Sequence, residues 1–268
     1  KRGKAPGCGK AVEFLVFCAV SCPHKITKGT NQEILRVTLK PAAEYIKNMS
    51  VTGLVKILAA AAVLLGLYLS SRYSYLLFHT TAELISIALA GAIFVLAWNF
   101  QHFYKNSFLT FIGTAYLSCG FIDLLHTLAY KGMGVFAGYD ANLPTQLWIA
   151  ARYLQSFSLL AAPLFLKRRV SAGWLLAGFA PVTALLLLSI FTWKIFPACY
   201  IEGAGLTPFK IGSEYFINLV IAAAALILLR SRRLVDRKVL KWMILAMSVT
   251  ILSELAFTLY TDVYGYFN

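Results

Sequence analysis

The chain has 268 residues, 59% of them hydrophobic and 13% charged, with 25 Lys+Arg against 11 Asp+Glu. Soluble domains carry about 25% charged residues, so this composition excludes a disordered or fibrous chain and argues against a soluble enzyme with one core. The formal charge of +14 does not indicate nucleic acid: the excess cations sit in the first 48 residues and in two short loops, which is the cytoplasmic-loop bias of membrane topology.

Residues 1–48 differ from the rest. They hold nine Lys/Arg and three Glu, with Pro6, Gly7, Pro23, Gly29 and Pro41 as turn residues. The apolar run 11–22 is too short to span a bilayer and contains Glu13. It resembles the apolar core of a signal peptide, with small residues at 19–21. The first Met, however, is Met49. We therefore expect 1–48 to be a basic leader without a folded domain, and 49–268 to be one integral-membrane domain. The five cysteines form no disulfide pattern, and Cys18, Cys22 and His24 are too loosely spaced to indicate a metal site.

Seven helical spans are expected next, at about 52–70, 77–100, 108–130, 145–166, 173–193, 208–229 and 239–260. About 20 apolar residues cross a bilayer as helix. The stretch 170–193 has 24 residues without an ionisable side chain. Pro208 suits a first helical turn. Pro163 and Pro181 lie inside spans, where a kink is tolerated. The fold class is thus all-α, a polytopic transmembrane bundle. Tyr73, Tyr75, Trp98, Tyr104, Trp193 and Trp242 lie near span ends, as an interfacial aromatic belt does.

Lys/Arg counts in short loops set orientation. With a cytoplasmic N-terminus, the inner loops hold ten basic residues, including Lys167, Arg168, Arg169, Arg230, Arg232 and Arg233. The outer loops hold four: Arg72, Lys131, Lys194 and Lys210. Seven spans then leave Asn268 outside, so a cytoplasmic output would require an eighth span beyond it. The expected location is a bacterial inner (plasma) membrane, crossed several times.

Ionisable residues inside the spans carry the functional information. They are His79, Glu83, Asp123, His126, Arg152, Glu214 and Glu254. A charge in hydrocarbon is costly, so such groups face the bundle interior or a wet cavity. Glu83, Asp123, Arg152, Glu214 and Glu254 each fall six or seven residues from the outer end of a span. That places all five about 9–10 Å deep at 1.5 Å per residue. His79 and Glu83 share a face by i,i+4 spacing, and Asp123 and His126 by i,i+3. Gln155 and Ser156 accompany Arg152, Asn218 accompanies Glu214, and Thr250 and Thr258 flank Glu254.

Three readings of this layer stay open. Arg152 and the acids can be a structural ion-pair network. The layer can be a ligand pocket built by Glu83, Asp123, His126, Arg152, Glu214 and Glu254. It can also hold a divalent metal ion on His79, Glu83, Asp123 and His126, since imidazole with carboxylate suits zinc, iron or copper. Four acids and one Arg cannot all stay ionised in a dry site, so some are expected to be protonated or to bind a cation. The Gly-rich loop 131–144 is a candidate lid, though such loops are more often plain connections. No Walker, dinucleotide-binding, kinase or zincin motif occurs.

Several of these segments resemble one family. They are IDLLHTLAYKGMGVFAGYDANLPTQLWIAARYL at 122–154, GLTPFKIGSEY at 205–215, ILSELAFTLYTDVYG at 251–265 and, more weakly, HTTAELISIALAGAIFVLAWN at 79–99. The chain over 53–268 is similar to the membrane-associated sensor domain, third type, an N-terminal integral-membrane input module of bacterial signalling proteins. The resemblance implies a sensory role in signal transduction, with a histidine kinase of a two-component system or a diguanylate cyclase as C-terminal output, and no catalysis by this stretch itself. The leader falls outside the resemblance, and a last family helix is expected beyond residue 268. Expected partners are the lipid bilayer, a small-molecule or ion signal, the output domain of the same chain, and a second copy in a homodimer. The rival reading is an intramembrane metal-dependent hydrolase with a zinc-bound water. A transporter fits less well, because the layer lies off the midplane and no repeated broken helices occur.

Overall fold

The structure is a computed structural model that describes residues 51–103 and 106–257. The leader with Cys18, Cys22 and His24, the start at Met49, Tyr104, and the last span beyond Phe257 with Thr258 lie outside the described residues. Two units divide the chain, residues 1–65 and 66–268. Helix α1 (Val51–Tyr73) runs across that division. Its apolar stretch is unburied, as expected of side chains in lipid.

The second unit contains α2 (Tyr75–Phe100), α3 (Phe108–Ala129), α4 (Asn142–Ala161), α5 (Ala172–Phe191), α6 (Pro208–Arg230) and α7 (Arg237–Phe257). With α1, seven helices among the described residues are long and apolar enough to cross a membrane. The chain is a multi-pass membrane protein with the all-helical fold its sequence indicates. Apart from helix, the described residues form one short antiparallel pair, β1 (Tyr200–Ile201) with β2 (Gly205–Leu206).

Helix α3 is the hub. It packs on α2, α4 and α5, while α4 packs on α6, and α6 on α7. One apolar cluster joins Cys119 and Ile122 of α3 to Leu143, Leu147, Ala150 and Leu154 of α4 and Ile190 of α5. A second joins Phe108, Phe111 and Ile112 of α3 to Ile149 and Leu159 of α4, Ile217 and Ile221 of α6 and Met247 of α7.

Small residues set the α2–α3 contact. A Cβ on Gly113 would lie 2.6 Å from the Ala97 Cβ, and one on Gly120 would lie 3.1 Å from the Ala90 Cβ. Ala90 and Ala97 are both buried. Apolar lipid gives helices no hydrophobic reason to associate, so close backbone approach and dispersion supply the contact. The two contacts share one antiparallel register, seven residues apart on each helix. Carried seven residues further, that register sets Glu83 beside Thr127 and His126, and His79 beside Tyr130.

Pro163 does more than kink its span. Helix α4 stops at Ala161 and continues as a 3-10 turn, Ala162–Leu166, because proline lacks the N–H that an α-helical bond would use. Pro181 stays inside α5. Helix α4 begins three residues before the expected start, after an Asx turn in which Asn142 N–H donates to Asp140 Oδ1 at 3.0 Å. Ser107 fastens the other end of α3: its hydroxyl donates to Val170 O at 2.9 Å and accepts from Val170 N–H at 2.7 Å.

Candidate functional site

The polar residues gather where α2, α4 and α6 begin and α3 ends. Counted from those helix ends at 1.5 Å per residue, Glu83, Asp123, Arg152 and Glu214 lie about 9–15 Å deep, a thicker layer than the sequence indicates, and His79 and His126 about 5–6 Å deep. Two connections occupy this end. In the 130–141 loop, Gly132, Gly134 and Gly138 adopt positive φ, which glycine takes without strain. Its Met133 Sδ accepts from Thr80 Oγ1 at 3.6 Å, and its Phe136 packs on Phe191. The 192–207 connection is held by Asn142, whose Oδ1 accepts from Cys199 N–H at 2.7 Å and Tyr200 N–H at 3.1 Å. Gln146 Nε2 donates to the carbonyls of Phe196 and Pro197. Cys199 is fully buried, and burial pushes its thiol up to about 12.

Arg152 chooses Asp123. Its Nη2 donates to both carboxylate oxygens, at 2.9 and 2.8 Å, and its Nη1 donates to Gln155 Oε1 at 2.7 Å. The guanidinium also lies 4.6 Å from the centre of the Trp148 ring. Trp148 also meets His126, with ring centroids 5.5 Å apart. Asp123, Arg152, Trp148 and His126 therefore form one connected group across α3 and α4.

A second pair joins Lys210 to Glu214. The loop count places Lys210 in an outer loop. It lies instead in the first turn of α6, 2% exposed, with its Nζ 2.6 Å from Glu214 Oε1. Thr207 caps the helix by accepting from Lys210 N–H, and Pro208 follows in the first turn. The signal was present in the sequence: Lys210 and Glu214 are an i,i+4 pair just after that proline. Asn218, one turn further, is buried with both amide atoms lacking a hydrogen-bond partner. Tyr153 links α4 to this group by donating to Ser213 Oγ at 2.9 Å.

Glu83 and Glu254 complete the layer without an ion pair among the described residues. Glu254 is 2% exposed, and its Oε2 has no hydrogen-bond partner among them. It lies in electrostatic reach of Arg152, Glu214, Lys210 and Asp123. Glu83 lies in reach of Asp123 and Arg152. The four acids and two cations thus act on one another as one electrostatic system. Two acids in it exceed the cations.

Four residues were expected to be able to hold a metal. Three come together: one ligand atom from each of His79, Glu83 and His126 lies within 4.8 Å of the other two. Asp123, the fourth, has both oxygens on Arg152. Tyr130 stacks on His79 with centroids 4.0 Å apart. Tyr75, expected in the aromatic belt, instead packs beside Tyr130 and His79. Tyr73, Trp193 and Trp242 are well exposed, in keeping with a belt. Thr250 spends its hydroxyl on Ala246 O of its own helix.

No curated protein and no solved structure is similar to the chain. The model of a membrane-associated sensor domain family matches residues 70–268, starting further along than the resemblance at 53 and covering every polar residue described above. The chain, which has seven candidate membrane spans among its described residues, belongs to the MASE3 family of membrane-associated sensor domains.

Proposed function

We propose that the polar layer is where this sensor domain reads its signal. In this reading, Glu83, Asp123, His126, Arg152, Glu214 and Glu254 line an outer-leaflet site. It detects a periplasmic, extracellular or membrane-dissolved signal and passes it to a C-terminal cytoplasmic output domain of the kinase or cyclase class. The N-terminus is cytoplasmic, so the 130–141 and 192–207 connections face outward. One observation carries the reading: Arg152 is matched to Asp123 and Lys210 to Glu214, while Glu83 and Glu254 have no ion-pair partner among the described residues. A network built only to hold helices together gains nothing from two surplus acids, Glu254 buried and Glu83 half-buried. A layer whose charge state depends on what enters it does, because a ligand shifts a conformational equilibrium only through differential affinity for its two states.

The test uses the protein carrying its output domain, in native membranes. Glu83→Gln, Asp123→Asn and Glu254→Gln should insert and fold, and should change basal output about tenfold or more. Unchanged basal output in all three folded variants leaves the layer a packing role only. The hydrolase reading would use the same His79, Glu83 and His126 group, but membership of a sensor family weighs for the input role.

A further inference from the structure

The geometry points to a transition-metal site, and we propose that His79, Glu83 and His126 bind one divalent ion of the zinc class. The proposal deepens the sensor reading by naming the ligand of the same layer, and it rests on that reading for its consequence though not for binding. The donor set is the first argument. Two imidazole nitrogens and one carboxylate oxygen suit zinc, cobalt, nickel or copper, whereas magnesium and calcium prefer all-oxygen sites. Bonds of about 2.0–2.2 Å in a tetrahedral site put ligand atoms about 3.3–3.6 Å apart. Atoms already within 4.8 Å of one another reach that spacing by small side-chain rotations.

The second argument is the proton on His126. Its Nδ1 lies 2.7 Å from the Pro144 carbonyl oxygen. A carbonyl oxygen only accepts, so Nδ1 carries the hydrogen and donates it. In the neutral ring this leaves the lone pair on Nε2. Metal-binding histidines are held this way, with the second nitrogen fixed by a backbone carbonyl or carboxylate.

The third argument is the state of the other two groups. The Nδ1 of His79 is buried and has no hydrogen-bond partner among the described residues. Its ring plane is held by the stack on Tyr130. Glu83 has no ion pair among the described residues, and the nearby cation Arg152 is engaged by Asp123. No hydrogen bond joins His79, Glu83 and His126 to one another among the described residues. Three polar groups therefore converge without satisfying each other, which a dication would resolve. The carboxylate would offset one of its two charges.

The fourth argument is rigidity. His79 and Glu83 share a face of α2, and His126 lies on α3. The Ala97–Gly113 and Ala90–Gly120 contacts fix the register of these two helices. The ligands thus sit on the most closely packed helix pair, where a metal site is best preorganised.

The test is metal binding by the purified full chain in lipid nanodiscs, stripped with a chelator and then exposed to zinc. Elemental mass spectrometry after gel filtration should find one zinc per chain. Cobalt in place of zinc should give ligand-field bands without thiolate charge transfer. His79→Gln, His126→Gln and the isosteric Glu83→Gln should each weaken zinc binding at least tenfold, while Asp123→Asn retains it. Failure of the wild-type chain to take up zinc overturns the site whether or not the variants fold. So does unchanged binding in the folded His79→Gln/His126→Gln variant, or a thiolate band placing the ion on cysteine. None of these results touches the sensor reading, which stands or falls on basal output. Zinc bound at full stoichiometry with output unmoved by zinc supports the site and counts against metal sensing.

Discussion

Replacing Arg152 by methionine tests which acid it balances. Methionine keeps the apolar stem, which packs independently of the charge. The substitution removes the contacts to both Asp123 oxygens, the bond to Gln155 and the contact with Trp148. Removing one partner of a buried ion pair costs about 3–5 kcal/mol, because the other charge stays buried without compensation. Here both carboxylate oxygens meet a single nitrogen of the guanidinium. That is weaker than a two-nitrogen fork, so we expect the lower end, about 3 kcal/mol. Adding Asp123→Asn removes the stranded charge and should recover most of this loss, for a coupling of about 2–3 kcal/mol. Adding Glu254→Gln should recover less than about 1 kcal/mol, since that acid meets Arg152 only through longer-range electrostatics. The measurement is reversible unfolding in mixed micelles, analysed as a double-mutant cycle. Equal or greater rescue by Glu254→Gln refutes the pairing.

Other parts of the fold give equally definite outcomes. Gly113→Ala places a methyl 2.6 Å from the Ala97 Cβ. Overpacking of about 1–3 kcal/mol should exceed the roughly 1 kcal/mol gained in helix propensity, and Ala97→Gly should reverse the net loss in the same unfolding assay. If Gly113→Ala is stabilising by itself, α2 and α3 are not this close. Burial moves the Cys199 thiol from 9.0 to about 12. The thiolate is the reactive form, so between pH 7 and 9 its alkylation in the folded chain should run about a thousandfold slower than in the unfolded chain, as peptide mass spectrometry would show. The sign for stability follows. The unfolded thiol loses its proton first, so this group's contribution falls as pH rises through 9 toward 12. Similar alkylation rates in the two states would place Cys199 outside the buried connection. For orientation, single cysteines at Asp140 and Glu202 should react with an impermeant thiol reagent in intact cells, and those at Arg168 and Arg233 should not. Labelling at Arg168→Cys contradicts a cytoplasmic N-terminus.

The spans were legible because lipid imposes one strong rule: a crossing segment is a long apolar helix. The layer was legible for the converse reason, since every ionisable residue in such a segment needs an explanation. Which cation meets which acid was not legible. Glu83, Asp123, Glu214 and Glu254 lie at similar depths, and depth does not distinguish them. Only the packing of α3 against α4 brings Arg152 to Asp123. Lys210 was misplaced for a related reason. Counting basic residues treats a lysine near a span end as solvated, yet Lys210 is buried and paired with Glu214. The α2–α3 register left a visible trace, glycines at 113 and 120 with alanines at 90 and 97. Spacing alone, without knowledge that these helices are neighbours, does not pair them.

The last described helix shows how a change of charge in the layer could move the bundle. Among its described side chains, α7 buries only Met247 and Glu254, two residues on one face. Met247 belongs to the apolar cluster shared with α6. Glu254 is the polar half of the same attachment, and it sits in the field of Asp123, Glu214, Arg152 and Lys210. Driving a two-state equilibrium from 1:99 to 99:1 requires about 5.5 kcal/mol of differential affinity. An uncompensated buried charge costs several kcal/mol, so one charge gained or lost in the layer is of the size required. Helices α2 and α3 resist such a change through their close backbone contact, and α3 is the most buried helix. Helix α7, attached through Met247 and Glu254, has an ionisable group at one of its two buried positions. On the proposed reading, a cation that neutralises surplus acid in the layer therefore acts first on the docking of α7 against α6, and α7 leads toward the end of the chain where the output domain is expected.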